Sequence, residues 1–390
     1  MRSHPSILQF YVCILLALVG FARAQHSNPT QTPVKPPARL ISPEVHADGS
    51  VIFRFRAPHA QEVKLAREGA QPVAMEKDEQ GVWSVTTAAL PPDYYGYSLI
   101  ADGVHLIDPS NPLLKPNLLA TENMVHVPGP PTLPWELNDV PHGEIHHEFY
   151  KSAVAGDDRD FYVYTPPGYD PAGKQTYPIL YLLHGFSDDA SGWTAVGRAN
   201  VILDNLIAQG KAKPMIVTMP LGYGTMDFVR PGQNTWADTE LRDRNFKKFT
   251  EALLSEVIPK VESGYRVKQD RNARAIAGLS MGGSESLLAG LNNLDKFSWV
   301  GAFSSGGIPE DFPADFPSLD SEAKGAKANQ QLHLLWIACG TDDHLITLNR
   351  SLRAWLKSRG VQHTAIETPG GHGWMLWRRN LADFASLLFR

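Results

Sequence analysis

The chain is poor in cysteine: its 390 residues hold two, Cys13 and Cys339. Cys13 lies within the first apolar run, so a chain that sheds that run keeps a single cysteine and can form no internal disulfide. Stability must then come from burial, and 43% hydrophobic residues over this length is enough for one or two full cores. The chain also lacks a basic excess. Its 36 Lys and Arg stand against 41 Asp and Glu, for a net charge of −5, and form no basic cluster. That balance argues against nucleic acid or an anionic lipid surface as partner. After the first run no stretch approaches the length of a membrane span, so no membrane anchor is expected. There is no internal repeat, and biased composition is confined to two proline-rich stretches.

The first 24 residues have the layout of an export signal. Arg2 is the positive start, 7–21 is almost wholly apolar, and Ala22-Arg23-Ala24 offers a cleavage site before Gln25. Their removal would take the net charge to −7, and the mature protein is expected to be secreted or periplasmic. Residues 25–38, rich in Pro, Thr, Ser and Asn, read as a flexible leader. From 39 to 127 short alternating runs recur at 51–56, 63–65, 82–86 and 95–100, and Asp102-Gly103 is a two-residue hairpin signal. Strands at this spacing without helical period predict a small immunoglobulin-like β-sandwich. Alternation turns Trp83 inward and Val82 and Ser84 outward, which favours Trp83 as a core anchor over a sugar platform. Residues 128–145 then form a linker, with five prolines between 128 and 141.

From 146 to 390 the texture changes to strands alternating with helices. Apolar runs at 161–164, 177–183, 215–219, 274–277, 299–304, 333–339 and 364–368 predict strands, and 201–209, 239–262, 284–292, 345–358 and 381–389 predict helices. Such alternation implies an α/β domain with a mostly parallel sheet covered on both faces.

The chemistry centres on Gly278-Leu279-Ser280-Met281-Gly282, at a predicted strand-to-helix junction. A serine in a tight turn, flanked by residues without a Cβ and set at a helix N-terminus, is the layout of a nucleophile elbow. Downstream the chain supplies Cys339-Gly340-Thr341-Asp342-Asp343-His344 at one predicted strand end and Pro369-Gly370-Gly371-His372-Gly373-Trp374 at the next. Serine, then acid, then histidine is the chain order that an α/β-hydrolase uses. His372 is the candidate general base, since a neutral imidazole can take the hydroxyl proton near pH 7. Asp342 and Asp343 compete to orient it, because two adjacent side chains cannot both face the site. The oxyanion donors expected are the N–H groups of Met281, after the nucleophile, and Phe186, in the turn that ends Leu182-Leu183-His184-Gly185-Phe186. His184 is given no proton-transfer role.

Two resemblances can be attached to these residues. The motifs Tyr181-Leu182-Leu183-His184-Gly185, Gly278-Leu279-Ser280-Met281-Gly282-Gly283, Cys339-Gly340-Thr341-Asp342-Asp343 and Gly370-Gly371-His372 are similar to those of carbohydrate esterase family one. That family includes feruloyl and acetylxylan esterases, with enterochelin esterases and S-formylglutathione hydrolases as relatives. The resemblance implies an α/β-hydrolase fold, a triad of Ser280, His372 and Asp343, and ester-linked feruloyl or acetyl groups on xylan as substrate. Gly81-Val82-Trp83-Ser84-Val85 and Tyr94-Tyr95-Gly96-Tyr97-Ser98, running into Asp102-Gly103, resemble the carbohydrate-binding module of family forty-eight. That likeness implies sugar contact, or a wall for the neighbouring active site.

Trp193, Tyr223 and Trp374, beside the catalytic loops, are candidates to receive a phenolic acyl group, with Phe228 and Trp236 behind them. No cofactor or metal is implied: His142, His146, His147 and Glu148 cluster without His-Glu-x-x-His spacing. Cys339 reads as a small buried side chain. The expected function is therefore a secreted serine esterase of plant cell-wall polysaccharide, first a feruloyl esterase on arabinoxylan and second an acetylxylan esterase. An enterochelin-type siderophore esterase is the rival among enzymes. A carbohydrate-binding protein with a degenerate hydrolase domain is the rival outside them.

Overall fold

The computed structural model describes residues 39–308 and 311–390. The signal peptide and leader expected over 1–38 lie outside the described residues. Two sheets form the N-terminal sandwich. One is built on β1 (Val51–Arg56) and β3 (Val82–Thr86), the other on β2 (Val63–Arg67), β4 (Asp93–Ala101) and β5 (Glu122–Val127). Val51 and Phe53 point inward from β1 and meet Leu65, Tyr97 and Leu99 of the facing sheet, with Phe53 edge-on to Tyr97 at 4.7 Å. Asp102 and Gly103 both take positive φ, 47° and 83°, as a two-residue turn matched to strand twist requires. Trp83 is buried as expected, its indole N–H on the Ala57 carbonyl at 2.9 Å. Val82 is buried as well, at 7% exposure, against the outward position that alternation assigned it.

The second part is an eight-stranded sheet. Its strands are β6 (Glu144–Lys151), β7 (Asp158–Thr165), β8 (Ile179–Leu183), β9 (Ile216–Pro220), β10 (Arg274–Leu279), β11 (Trp299–Phe303), β12 (Leu334–Gly340) and β13 (Thr364–Thr368). They lie in the order β6-β7-β9-β8-β10-β11-β12-β13, antiparallel at β6 and β7 and parallel from β9 onward. Apolar residues alternate sides: Ile276 joins the core on one face, while Ala275, Ala277 and Leu279 join that on the other. Helices α2 (Thr239–Ala252), α3 (Met281–Asn292) and α4 (Ile346–Ser358) cover the first face. Helices α1 (Ala199–Ala208) and α5 (Trp374–Ala385) cover the second.

Four differences from the sequence reading stand out. Strand β6 takes in two residues assigned to the linker, and with exposed or half-buried side chains throughout it carries no apolar run. The linker is no free spacer either: Trp135 is buried in the second core, alongside Tyr94 and Met124 of the sandwich. Helix α5 starts at Trp374, seven residues before the expected 381, because Arg378 looks polar in sequence yet is 1% exposed. Its guanidinium is paired with the buried Asp93 of β4 at 2.9 Å. The helix expected over 239–262 is also interrupted, by a π-helical turn at Leu253–Val257.

Register decides where the chemistry sits. Leu183 pairs with Gly278, Leu279 with Phe303, and Gly340 with Thr368, so the parallel strands end together. The turns that follow β8, β10, β12 and β13 therefore converge on one edge, where open α/β sheets bind ligands.

Candidate active site

Ser280 occupies the turn between β10 and α3 with φ 51° and ψ −115°, a conformation that few side chains tolerate. Helix α3 begins at the very next residue, Met281, three positions earlier than the sequence suggested. The serine hydroxyl thus stands directly over the helix N-terminus. A Cβ on Gly282 would lie 2.4 Å from the His184 carbonyl oxygen, so this glycine is what lets α3 close on the turn after β8.

His372 bridges two loops. Its Nε2 lies 3.0 Å from Ser280 Oγ, and its Nδ1 lies 2.9 and 3.1 Å from the two Asp343 carboxylate oxygens. A carboxylate can only accept, so Nδ1 carries the proton and the Nε2 lone pair faces the hydroxyl. Asp343 is fully buried, which by itself would raise its pKa. The hydrogen bond and charge of His372 and the Leu345 N–H outweigh that and hold it below the usual carboxylate range. Asp342 turns the other way and accepts the Gly370 N–H at 3.2 Å. Trp377 stands edge-on to the imidazole at 4.8 Å and fixes its plane.

The turn after β8 packs against Ser280, where a Cβ on Gly185 would come 2.6 Å from Leu279 Cδ1 and 3.4 Å from Ser280 Cβ. Phe186 follows and lines the cavity above the serine. His184 is wholly structural: its Nδ1–H donates to the Gly185 carbonyl and its Nε2 accepts the Gly222 N–H, both at 2.8 Å. Burial pushes its pKa down, in keeping with a neutral ring.

A cavity of about 360 Å³ opens over Ser280 and His372. Of the aromatic candidates, Trp374 lines it. Trp193 and Tyr223 do not, and the structure corrects both. Trp193 is 1% exposed, bonded to the Leu183 carbonyl and stacked edge-on against Trp374 at 5.1 Å. Tyr223 is 2% exposed with its hydroxyl on the Asp188 carbonyl. Both are loop packing, because an aromatic beside a catalytic motif is as apt to support the loop as to face the ligand. Trp377 was missed, though at three residues beyond Trp374 on α5 it shares that face. Glu68, Lys115, Asn117 and Glu122 were also missed: they enter the cavity from the sandwich, where nothing local marks them.

Electrostatically the cavity is polar and balanced. Burial would lower the pKa of Lys115, but the carboxylates of Glu68 and Glu122 more than offset it and raise it. Asp188, a buried residue of the cavity lining, is pushed up to about 7 by burial, against the pull of Lys115 and a hydrogen bond from Asn117. Among the described residues, Asp343, His344 and His372 bring three metal-competent atoms within 4.8 Å of one another. Two of those residues already spend their atoms on the Ser280 bridge. His147, on β6, is paired with Asp160, and His142 with Asp204. Among the described residues no helix is long and apolar enough to cross a membrane.

Residues 152–387 match the Esterase family. This chain belongs to that family. The chain is 32% identical over 359 residues to an endo-1,4-beta-xylanase/feruloyl esterase of Xylanibacter ruminicola, covering 89% of this chain and 46% of the relative. It thus spans about half the length of that relative. A solved ferulic acid esterase superposes with a TM-score of 0.53 at 26% identity, covering 63% of this chain and 98% of that chain. The enterobactin esterase of Shigella flexneri superposes with a TM-score of 0.64 at 20% identity, covering 87% and 94%, a likeness of fold that extends beyond the hydrolase part.

Proposed function

We propose that this esterase hydrolyses feruloyl esters on plant cell-wall polysaccharide, with Ser280 as nucleophile, His372 as general base and Asp343 as its orienting acid. The observation that carries the reading is the hydrogen-bonded chain from Ser280 Oγ through the imidazole to a buried carboxylate, at the mouth of a cavity. In this mechanism His372 takes the Ser280 proton as Oγ attacks the ester carbonyl. The N–H groups of Met281 and Phe186 hold the oxyanion, and Asp343 stabilises the imidazolium. His372 then protonates the departing sugar hydroxyl, and water hydrolyses the acyl-enzyme by the reverse use of the same groups. The xylanase/feruloyl esterase relative supports a feruloyl over an acetyl substrate. So does the aromatic lining that Phe186, Trp374 and Trp377 give the cavity. Export is part of the proposal and rests on Arg2, the apolar run and Ala22-Arg23-Ala24. Polysaccharide binding by the sandwich rests on its resemblance to the family forty-eight module.

The test is hydrolysis of methyl ferulate, acetylated xylan and 4-nitrophenyl acetate side by side, with serine-directed phosphonate labelling. Methyl ferulate should be turned over fastest relative to its uncatalysed rate, and Ser280→Ala should lower turnover by about four to six orders of magnitude. Preference for acetylated xylan would overturn the acyl assignment. Failure of the phosphonate to label Ser280 would overturn the mechanism.

A further inference from the structure

We infer that the N-terminal sandwich is a working part of the catalytic site, with Glu68 and Asn117 as positioning residues that hold the histidine loop and the oxyanion turn from above. The inference rests on the roles proposed for Ser280, His372 and Phe186. Helix α5 begins two residues after His372, and its N-cap is Gly373, which has no side chain to satisfy the exposed N–H groups. Glu68, just after β2, supplies the missing acceptor across 306 residues of chain: its Oε1 takes the Trp374 N–H at 3.0 Å. Its Oε2 takes the Gly96 N–H at 3.1 Å, which anchors the carboxylate to the sandwich. A Cβ on residue 373 would lie 2.6 Å from Oε1, so glycine at that position is what admits the carboxylate. A negative group at a helix N-terminus is also favoured by the helix dipole.

The second grip is on the opposite loop. Asn117 Nδ2 donates to Ser187 Oγ at 2.9 Å and to Asp188 Oδ1 at 3.2 Å, and the Leu118 N–H donates to the Ser187 carbonyl at 2.7 Å. Ser187 has φ 72°, a conformation that a serine keeps only when its surroundings impose it. It directly follows Phe186. Asn117 is itself fixed, its Oδ1 accepting the Leu119 and Ala120 N–H groups at 3.0 Å each. One carboxylate and one amide of the sandwich thus tie down the two turns whose separation sets the reaction geometry. The docking of the sandwich does not depend on them, because the buried Asp93–Arg378 pair and the shared core around Trp135 hold it independently.

The experiment compares Glu68→Ala, Glu68→Gln and Asn117→Ala in the full chain on 4-nitrophenyl acetate, whose leaving group is too small to fill the sandwich side of the cavity. Misplacement of about 1 Å costs up to about 100-fold, so Glu68→Ala should lower kcat by about 10- to 100-fold while KM changes by less than about threefold. Glu68→Gln keeps an acceptor for Trp374 but turns its NH2 toward the Gly96 N–H, so it should recover only part of the loss, with kcat between those of Glu68→Ala and wild type. Asn117→Ala should lower kcat by about tenfold, with phosphonate labelling slowed in parallel. If Glu68→Ala does not fold, judged by circular dichroism, Asn117→Ala decides: a kcat within twofold of wild type overturns the inference. So does a loss seen only as raised KM on feruloylated oligosaccharide, which would make both residues substrate contacts. Should Ser280→Ala retain wild-type turnover, the proposed mechanism fails. An inactive Ser280→Ala beside a fully active Glu68→Ala fails this inference alone.

Discussion

Asp343→Asn separates the two candidate acids most sharply. Asparagine keeps the size of the side chain and can still accept the Leu345 N–H that Asp343 Oδ1 accepts at 2.9 Å, so the loop should stand. The remaining NH2 then faces His372 Nδ1, which must become an acceptor. The ring proton moves to Nε2, and a donor, instead of a lone pair, points at Ser280. The charge is lost as well: an imidazolium and a carboxylate about 4 Å apart at an effective dielectric near 20 are worth about 4 kcal/mol, or about three orders of magnitude in rate. With the tautomer error added, kcat/KM on methyl ferulate should fall by about 10³- to 10⁴-fold. Asp342→Asn should cost less than about threefold, since Asp342 serves only the Gly370 N–H. Steady-state kinetics on both variants, with circular dichroism as a folding control, decide the matter. A loss under tenfold for Asp343→Asn, or a thousandfold loss for Asp342→Asn, would refute the assignment.

Other expectations follow from contacts elsewhere in the molecule. Gly282→Ala would push a methyl group to 2.4 Å from the His184 carbonyl and force α3 away from the oxyanion turn, so kcat should drop by about 100-fold; a variant within threefold of wild type would mean that the helix can yield. Asp93→Asn leaves Arg378 buried without its counter-charge, and urea unfolding should show a loss of about 3–5 kcal/mol. A change under 1 kcal/mol would show the pair to be dispensable. Asp188, raised to about 7, holds its proton more tightly in the folded than in the unfolded chain. Its effect is therefore to make the protein most stable below its unfolded value and less so as pH rises from about 4 to about 7. Glu285 should extend that trend to higher pH, since it is fully buried without a hydrogen-bond partner and its pKa is raised by burial. Thermal unfolding between pH 5 and 8 should show a flatter decline in Asp188→Asn than in wild type, and identical slopes would contradict the reading.

Much of this protein is written in local pattern. The strand-to-helix glycines around Ser280, the acid and histidine at successive strand ends, and the seven apolar runs of the hydrolase sheet are legible because backbone strain and a doubly covered parallel sheet each demand particular residues close together in the chain. Strand β6 escaped because an edge strand with one face exposed and the other only half-buried needs no apolar run. The start of α5 escaped because Arg378 finds its counter-charge nearly 300 residues away, so its burial leaves no trace in its neighbours.

By itself, then, the sequence determined the chain order of the candidate serine, acid and histidine, the two-part layout and the class of fold. The resemblance named Asp343, and the tertiary structure put its carboxylate, and not that of Asp342, on the imidazole; only the tertiary structure decided which tryptophan and tyrosine are packing, and that the sandwich reaches into the cavity with Glu68 and Asn117. The reason is the range of the interactions: turn geometry and periodicity act over a few residues and leave marks there. A hydrogen bond from residue 374 to residue 68 is made by two chain segments that meet only after both cores have formed.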